Sequence, residues 1–287
     1  MNNFFILIPT FNDWRSLNRL LFFLNKSIKG IKGIFRVVIV NDNSSEKIKL
    51  QTKNLYKIKS LKILNLKKNI GSQKAIYIGL KYIKKYNYKS IISVLDSDGE
   101  DNPFKLKKLI NLALKKKDCV FVANRSERRE NIYLRYINKL RLLITFLLTG
   151  KYINFGNFSS FSSDNLNKIF LNSNLWLAFS SGILKNCEKI IPINIKKKKR
   201  YYGNSKVKLK FLVNHTIKII CVFKKEILIR SLLAMLFVIF FFKDSNFSIK
   251  LILIFVFLNI FIYIYYRINA LNFNVLKLIK NIDNIKK

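Results

Sequence analysis

The stretch IISVLDSDGEDNP, residues 91–103, decides the fold. It begins with an apolar run over Ile91–Leu95 that only Ser93 interrupts, and such a run predicts a strand buried on both faces of a parallel sheet. Four of the next six residues are acidic. Pro103 then stands where proline is favoured, at the start of a helix. The order of strand, acidic turn and helix predicts one unit of an α/β fold.

Similar apolar runs lie on both sides of this stretch and alternate with helical patterns. The other predicted strands are Phe4–Ile8, Arg36–Val40, Leu61–Leu64 and Cys119–Ala123. Helices are predicted over residues 17–28, over 72–85 and from Pro103, because apolar residues recur there every three or four positions. Strands that alternate with helices predict an open, mostly parallel α/β sheet with right-handed crossovers.

Acidic residues follow two of the predicted strands directly. Asp42 follows the second strand, and Asp96 and Asp98 follow the fourth. Ligands of open α/β sheets bind beyond these strand ends. Two carboxylates one residue apart can share a hard cation, since Mg²⁺ uses one or two carboxylates together with substrate phosphates. The pair predicts a Mg²⁺ or Mn²⁺ site that neutralises a leaving diphosphate; the alternative is an ordinary solvated turn.

Basic residues greatly outnumber acidic residues in this chain. The 287 residues include 54 Lys and Arg against 15 Asp and Glu, a formal net charge of +39. Such a charge favours an anionic partner, such as phosphate, nucleic acid or an anionic membrane. The alternative is a compositional bias that also enriches Ile, Asn and Phe. Lys74 and the basic residues of 196–206, Arg200 above all, are candidate contacts for phosphate groups.

The sequence disfavours several other kinds of site. Cys119, Cys187 and Cys221 show neither metal-ligand spacing nor a disulfide framework, so buried free thiols are predicted. The only histidine, His215, lies far from any Ser or Cys motif. A nucleophile activated by histidine is therefore not expected. No secretory signal is expected either, because the apolar run at Phe4–Ile8 is too short for a signal core.

Two apolar segments near the end of the sequence predict membrane helices. They cover residues 227–242 and 249–266, and a span needs about 20 apolar residues. Arg230 and Lys250 are then expected to extend to the membrane surface. Basic residues flank the pair on its outer sides, which places both termini in the cytoplasm. A buried helical hairpin is the alternative.

These features divide the chain into three parts. Residues 1–225 form the predicted α/β domain, which includes a basic amphipathic helix at about 128–148. No clear pattern emerges over 151–195. Residues 226–270 form the two predicted membrane helices, and 271–287 form a basic cytoplasmic tail. The prediction is a multi-pass membrane protein whose α/β domain lies in the cytoplasm.

Six stretches of the sequence resemble the family 2 glycosyltransferases, in family order. Within that family the chain is similar to polyprenyl-phosphate glycosyltransferases akin to dolichol-phosphate mannosyltransferase. The matching stretches are Ile8–Asp13, Val40–Ser44, Asn69–Ala75, Asp96–Pro103, Asn124–Arg125 and Arg200–Lys206. They are spread over most of residues 4–225, and Asp96–Pro103 is the most specific. The resemblance implies a GT-A type fold, which binds nucleotide-diphospho-sugars, with paired C-terminal spans as in bacterial members.

The resemblance also implies residues that hold the donor nucleoside. Pro9, Phe11 and Asp13 match the segment around the nucleobase and ribose, with Asp13 in place of a usual Glu. Asp42 matches the second acid of a nucleoside-binding pair. Asn41 stands in place of the first acid, which leaves the donor open. Lys74 completes the predicted donor site.

A further set of implied residues handles metal and phosphate. The implied metal and diphosphate ligands are Asp96, Asp98 and Glu100, the last in place of a usual Gln. The implied residues at the acceptor and donor phosphates are Arg125, Arg200, Ser205 and Lys206. Asp96, Asp98 and Arg200 are the predicted catalytic residues.

The expected function is inverting transfer of a sugar from a nucleotide-diphospho donor to polyprenyl phosphate, or another membrane-bound acceptor, at the cytoplasmic membrane face. A phosphate acceptor is already anionic and needs no general base, whereas a hydroxyl acceptor does. Transfer to a hydroxyl of a glycan or lipid-linked saccharide is the first alternative, with Asp101 as a candidate base. A basic membrane-surface protein with a decayed enzyme fold is the second. Membrane lipids are expected partners, a homo-oligomer stays open, and nucleic acid is not expected because carboxylates repel its backbone.

Overall fold

The computed structural model describes residues 1–86, 88–124, 132–171, 174–203, 209–242, 246–270 and 274–286. The chain divides into two compact units. The first comprises residues 1–129, 154–206 and 273–287, and the second comprises 130–153 and 207–272. The division differs from the predicted boundary at residue 225, because two helices before that point belong to the second unit and the C-terminal segment belongs to the first.

The first unit is built on an eight-stranded sheet. Its strands are β1 (Asn3–Thr10), β2 (Ile34–Asn41), β3 (Ile58–Leu66), β4 (Ser90–Val94), β5 (Val120–Asn124), β6 (Phe155–Ser162), β7 (Ile190–Asn194) and β8 (Ile279–Lys286). Their order in the sheet is β7-β5-β6-β4-β1-β2-β3-β8. All but β6 and β8 run in one direction. The predicted open, mostly parallel α/β sheet is confirmed.

Helices cover both faces of the sheet because its central strands are apolar on both sides. The helices of this unit are α1 (Trp14–Ser27), α2 (Ser72–Lys84), α3 (Pro103–Lys115), α5 (Asp164–Leu171) and α6 (Phe179–Asn186). Side chains of α1 and α3 pack with Phe4, Ile6 and Ile8 of β1 in one core cluster. The alternate residue Leu7 faces α2, where a Cβ on Gly79 would lie 2.3 Å from its side chain. Gly79 therefore lets α2 approach the sheet closely.

The segment without a clear sequence pattern contributes a central strand. Within residues 151–195 the structure has β6, α5, α6 and β7. Strand β6 lies between β4 and β5 and is antiparallel to both. Its hydroxyls are accommodated inside the sheet, as the 2.7 Å hydrogen bond between Ser93 and Ser160 shows.

The segment predicted as a tail returns to the sheet instead. A short 3-10 helix, Val275–Leu278, leads into β8, which pairs antiparallel with β3. A backbone hydrogen bond of 2.9 Å from Lys67 to Leu278 starts this pairing. The physical reason is that β3 would otherwise be an edge strand with unpaired backbone groups, and β8 covers that edge. Within the predicted basic cytoplasmic tail, 271–287, residues Ile279–Lys286 thus form a strand of the sheet.

The second unit is helical. It contains α4 (Ile132–Thr149), α7 (Leu209–Val222), α8 (Lys224–Phe241) and α9 (Asn246–Asn269). Helix α4 corresponds to the amphipathic helix predicted at 128–148, of which residues 128–131 lie outside the described part. Helices α8 and α9 contact each other, and Asn259 donates a hydrogen bond of 2.6 Å to Ser231 between them.

Helices α8 and α9 carry many large apolar side chains on their exposed surfaces. Examples are Leu233, Leu236, Phe240, Ile254, Phe257 and Phe261. Within the described ranges only α9 is long and apolar enough to cross a membrane, judged by length and composition. Helix α8 has 18 residues, and four of them near its start are charged: Lys224, Lys225, Glu226 and Arg230. One candidate span is found, and the predicted two-span hairpin stays a prediction.

Candidate active site

The carboxyl ends of β4, β1 and β2 form the edge of the sheet that holds the predicted site. These strands are parallel neighbours, with Leu7 of β1 level with Val94 of β4 and with Val38 of β2. The loops that follow them therefore begin side by side. Asp13 follows β1, Asp42 follows β2, and Asp96 follows β4. In this register, acids that follow neighbouring parallel strands stand at one edge of the sheet.

The Asp42 corner consists of Asp42, Asn41, Asn65 and the loop Ile70–Gly71. Asp42 is 2% exposed, and its two carboxylate oxygens accept hydrogen bonds of 2.8 Å from the backbone N–H groups of Ile70 and Gly71. Burial raises the pKa of Asp42 to about 6, and the two backbone hydrogen bonds oppose that rise. Because each carboxylate oxygen has a second lone pair, Asp42 can still accept from a ligand.

The turn after β1 is tied to the turn after β2. Asn12 and Asn43 both have positive φ angles, 48° and 58°, which Asn tolerates better than most residues. The backbone N–H of Asn12 donates to the Ser44 hydroxyl at 3.0 Å, and its side-chain oxygen accepts from the Ser45 N–H at 2.9 Å. These bonds fix the loop that carries Phe11, which is 42% exposed, beside the Asp42 corner.

The acidic turn, residues 96–101, is braced from within and from β6. Asp101 accepts a 3.0 Å hydrogen bond from the Asp96 N–H, and Asp98 accepts one of 2.9 Å from the Glu100 N–H. Asn157 of β6 donates to the Asp96 carboxylate at 2.9 Å. Gly99 has a φ of +83°, which favours glycine. The turn thus presents Asp96 and Asp98 in a defined conformation.

The basic loop, residues 196–203, lies against this acidic turn. Arg200 forms ion pairs with Asp13 at 2.7 Å and with Asp98 at 3.4 Å, so that it joins two different loops of the sheet edge. Lys197 pairs with Glu100. The Tyr201 N–H donates to the Asp98 carbonyl at 3.0 Å.

Close packing fixes the position of the basic loop as well. The Tyr201 ring lies where a side chain at residue 99 would be, since a Cβ on Gly99 would be 2.2 Å from it. Gly99 therefore serves both the backbone angle and the contact with Tyr201. The guanidinium of Arg19, on α1, lies 5.2 Å from the centre of the Tyr201 ring. The loop is thus held by packing in addition to its ion pairs.

Burial, followed by the charges of neighbouring carboxylates, raises two pKa values in the acidic turn. Burial raises the pKa of Asp98 to about 6, with further contributions from the negative charges of Asp96 and Glu100, and Arg200 opposes them. Burial also raises the pKa of Asp101 to about 7, with the charge of Asp96 next in size. Positive charge at this turn is therefore favourable, whether from the basic loop or from a bound cation.

The donor set fits a divalent cation that arrives with substrate. Among the described residues no three His, Cys, Asp or Glu side chains gather as a preformed metal cage. Asp96, Asp98 and Glu100 instead contact Asn157, Arg200 and Lys197 respectively. One or two carboxylates completed by phosphate oxygens are what Mg²⁺ typically uses, and Asp96 and Asp98 match that chemistry.

The structure brings together most of the predicted residues that it describes. Arg200 contacts both Asp13 and Asp98, and Asp96 and Glu100 belong to the same turn as Asp98. Pro9 lies near the end of β1, and Lys74 lies in the first turn of α2. The predicted residues that fall outside the described part of the chain are Arg125, Ser205 and Lys206.

Several supporting residues escaped the sequence analysis. Asn157 lies on β6, which the sequence did not reveal, and Lys197 is one of several adjacent lysines with no distinguishing signal. Gln73 accepts a 2.6 Å hydrogen bond from the Phe179 N–H and donates to Asn157 at 3.2 Å. It stands within a matching stretch, which was the available signal for it. Asn157, itself bound by Gln73, orients the Asp96 carboxylate, and Lys197 pairs with Glu100.

Known proteins share this fold and part of this sequence. The family model described as glycosyl transferase family 2 matches residues 5–171. An uncharacterized glycosyltransferase of Synechocystis is 26% identical over 136 residues, which are 47% of this chain and 42% of that protein. The chain thus aligns with less than half of the length of that relative.

Two solved structures are similar at low sequence identity. Glucosyl-3-phosphoglycerate synthase from Mycobacterium tuberculosis superposes with a TM-score of 0.56 at 10% identity, over 79% of this chain and 80% of that one. TarS of S. aureus, residues 1–349, gives a TM-score of 0.48 at 19% identity, over 79% and 66%. Because the family match spans more than half of the chain and includes the acidic turn at its sheet edge, this protein belongs to glycosyl transferase family 2.

Proposed function

We propose that the chain transfers a sugar, with inversion, from a nucleotide-diphospho donor to polyprenyl phosphate at the cytoplasmic face of a membrane. The observation that carries the proposal is the convergence of Asp13, Asp98 and Arg200 at the sheet edge, next to the Asp42 corner. Acids that suit a nucleoside and a cation stand there beside a guanidinium that suits phosphate. A nucleotide-diphospho-sugar requires all three kinds of contact.

The donor assignment rests on the family and on the Asp42 corner. The synthase from M. tuberculosis was solved with Mn²⁺, UDP-glucose and phosphoglyceric acid. In this chain Asp42 is the buried acceptor available to a ribose hydroxyl or a base N–H, with Pro9, Phe11 and Asp13 on the neighbouring loop. Lys74, in the first turn of α2, belongs to the same proposed donor site.

The proposed chemistry is a direct displacement. An acceptor phosphate oxygen attacks the anomeric carbon, the bond from that carbon to the diphosphate breaks, and the diphosphate leaves with the electron pair. Asp96 and Asp98 would hold a Mg²⁺ or Mn²⁺, which would supply positive charge to that diphosphate. Arg200 is already at the same edge and adds a second, fixed positive charge where negative charge develops. Asn157 and Gln73 hold Asp96 in place during the reaction.

The ionisation of the acceptor explains why no general base is required. A phosphate monoester carries negative charge at neutral pH, so no proton has to be removed from it. Asp101, the candidate base, is buried and accepts the Asp96 N–H, which suits it to bracing the turn. The only histidine, His215, lies on α7 of the other unit.

Membrane attachment through two crossings is supported by the path of the chain. Helices α8 and α9 lie between β7 and β8 in sequence, and both strands belong to the same sheet. A chain that leaves the sheet and returns to it must cross a membrane an even number of times. If α9 spans, a second segment therefore spans as well, and α8 with its exposed apolar surface is the available one.

The helical unit also supports a lipid acceptor. It contains an open groove of about 630 Å³ formed by α4, α8 and α9. Its lining is mostly apolar, with Leu148, Leu233, Ala234 and Phe255 among its residues, and Arg230 is the charged member. An apolar groove with one cation suits a hydrocarbon chain that carries a phosphate.

A panel of nucleotide sugars tests this function. Purified full-length protein is incubated with each donor and with polyprenyl phosphate, with Mg²⁺, with Mn²⁺ and with a chelator. We expect one donor to yield a lipid-linked sugar phosphate that is labile to mild acid and has an inverted anomeric centre. A sugar joined to a glycan or saccharide hydroxyl, with polyprenyl phosphate inert, would establish the alternative acceptor. Absence of turnover and of nucleotide binding would favour the non-enzymatic alternative.

A further inference from the structure

A chain of hydrogen bonds joins the C-terminal strand to the Asp42 corner. Asp283 of β8 accepts a 2.8 Å hydrogen bond from the Asn65 side-chain NH₂ on β3. The Asn65 side-chain oxygen accepts one of 2.8 Å from Asn41, the last residue of β2. Asn41 in turn accepts the Ser44 N–H at 3.0 Å. Three side chains from three neighbouring strands thus end at the turn that follows Asp42.

The chemistry of this chain gives it a direction. An ionised carboxylate only accepts hydrogen bonds, so Asp283 requires the NH₂ group of Asn65 to point towards it. The oxygen of Asn65 must then face Asn41, and the NH₂ group of Asn41 must face Asn65. That orientation leaves the oxygen of Asn41 towards the Ser44 N–H. One carboxylate therefore fixes the orientation of two amides.

Burial makes this orientation consequential. Asn41 is 6% exposed and Asn65 is 9% exposed. If either side-chain amide were rotated by 180°, a buried NH₂ would face another NH₂ or a buried oxygen another oxygen, and both hydrogen bonds would be lost. The resemblance places an acid at position 41, where this chain has an amide. Here the acid is Asp283, at the opposite end of the hydrogen-bonded chain, on β8, which follows α8 and α9 in sequence.

We propose that Asp283 is a positioning residue for the donor nucleoside and that β8 completes the Asp42 corner. The proposal rests on the proposed nucleotide-sugar function. Asp283 acts through Asn65 and Asn41 on residues 42–45, which Asn12 also holds from the other side. Its loss should therefore loosen nucleoside binding without removing any group that touches the diphosphate.

Nucleotide binding to full-length protein tests the proposal. For Asp283→Ala we expect the Kd of the nucleoside diphosphate of the productive donor to rise about tenfold, as for the loss of a hydrogen bond to a charged group. Turnover at saturating donor should stay within about twofold of wild type, because that step uses other residues. The control is Asn284→Ala, an exposed neighbour on β8 whose loss should leave the Kd unchanged.

A swapped pair separates orientation from mere strand stability. Asn41→Asp alone puts a carboxylate at each end of the chain, and Asn65 has only one NH₂ group to offer. Combining it with Asp283→Asn moves the acid to position 41 and allows Asn65 to turn round. We expect the double variant to bind nucleotide more tightly than either single variant, and hydrogen exchange of the amides of residues 42–45 to follow the same order.

The outcomes distinguish this inference from the proposed function. If wild type binds nucleotide but Asp283→Ala leaves both the Kd and the exchange of residues 42–45 unchanged, the inference is wrong and the function stands. If the double variant is no better than the worse single variant, the orientation argument is wrong. If wild type binds no nucleotide while exchange in 42–45 still responds to Asp283→Ala, the structural link holds and the proposed function fails.

Discussion

The Asp42 corner and the acidic turn lie on the same sheet edge but are stabilised by different interactions. The Asp42 corner is held by amides and backbone N–H groups, with Asp42 itself bound to Ile70 and Gly71. The acidic turn is covered by cations of the basic loop, Arg200 and Lys197. The hydrogen bonds of the Asp42 corner are directional. The ion pairs of the acidic turn can be replaced, because a diphosphate can bind the cations and a divalent cation can bind the carboxylates.

This difference suggests a division of labour within the site. A nucleoside is an uncharged, rigid group. A corner whose donors and acceptors are already fixed can bind it with little loss of conformational entropy. The carboxylates of the acidic turn need positive charge nearby before substrate binds. A diphosphate with its cation then adds large charges of both signs to the same place. Arg200 and Lys197 of the basic loop pair with carboxylates of the acidic turn, and we expect these cations to contact the phosphates when substrate binds.

The largest effect is expected from Asp98→Asn, which removes a charge where a cation and Arg200 meet. Transfer should fall by about 10²–10³-fold, in the range seen when a group that stabilises transition-state charge is lost. The fold should persist, because Asp98 lies in a turn. Initial rates and thermal melting measure the two effects. Asp118→Asn, an exposed acid paired with Lys189, is the matched control; full activity in Asp98→Asn would contradict the assigned role.

Arg200→Ala should produce the next largest effect. Arg200 joins Asp13 to Asp98, and we expect it to contact phosphate when substrate binds. Loss of a charge-assisted hydrogen bond worth about 1.5–3 kcal/mol lowers transfer to polyprenyl phosphate by roughly 10- to 150-fold. Background donor hydrolysis should fall less, because it expels the same diphosphate but involves no acceptor phosphate. Arg200→Lys keeps the charge but loses the planar guanidinium, so its transfer rate should lie between those of wild type and Arg200→Ala. Equal losses in transfer and in hydrolysis would mean that Arg200 does not contact the acceptor phosphate.

The sequence alone predicted the apolar strands that lead into the Asp42 corner and the acidic turn. Strands β1, β2 and β4 are mostly buried, so their sequences are largely apolar runs, and acids follow each of them within three residues. Strand β6 is rich in Ser, and its central place depends on pairing with β4 and β5, which no local pattern reveals. Asn157 was missed for that reason.

The C-terminal strand shows a second limit. In β8 the apolar residues Ile279, Ile282 and Ile285 recur every three positions, which is not the alternation that indicates a strand. Its conformation is set by the open edge of β3, a partner more than 200 positions away in sequence. Asp283 therefore could not be connected with Asn41 and Asn65 from the sequence.

The pH dependence of nucleoside binding should sharpen the contrast. Burial raises the pKa of Asp42 from 3.8 to about 6, so the carboxylate is mostly ionised at pH 7 and mostly protonated at pH 5. A ligand that donates to the carboxylate should lose up to about tenfold in affinity for each pH unit below 6. Binding of the free nucleoside, without phosphate or metal, isolates this effect, and Asp42→Asn should abolish it.

Stability should move in the opposite direction for this group. Between the unfolded pKa of 3.8 and the folded pKa of about 6, the folded state binds more protons than the unfolded state. Protonation of Asp42 therefore stabilises the fold as pH falls through 6. Asp98 and Asp101, whose pKa values are raised as well, change stability in the same direction. A loss of binding at pH 5 that disappears in Asp42→Asn, with no lower melting temperature in wild type, would therefore assign the loss to Asp42.

The smallest effect concerns the exchange of cations at the acidic turn. Lys197 and Glu100 have side chains that are 27% and 26% exposed, and such a pair contributes about 0–1 kcal/mol to stability. Lys197→Ala should therefore change the melting temperature little. It removes a positive charge that competes with a divalent cation, so Mn²⁺ should bind about threefold more tightly by the same modest energy. Titration of protein that holds the nucleoside diphosphate of the productive donor, followed by the paramagnetic resonance of unbound Mn²⁺, measures this directly. Lys199→Ala, an exposed lysine of the same loop, is the control and should leave the affinity unchanged. Weaker Mn²⁺ binding in Lys197→Ala would mean that the basic loop supports the cation site and does not compete with it.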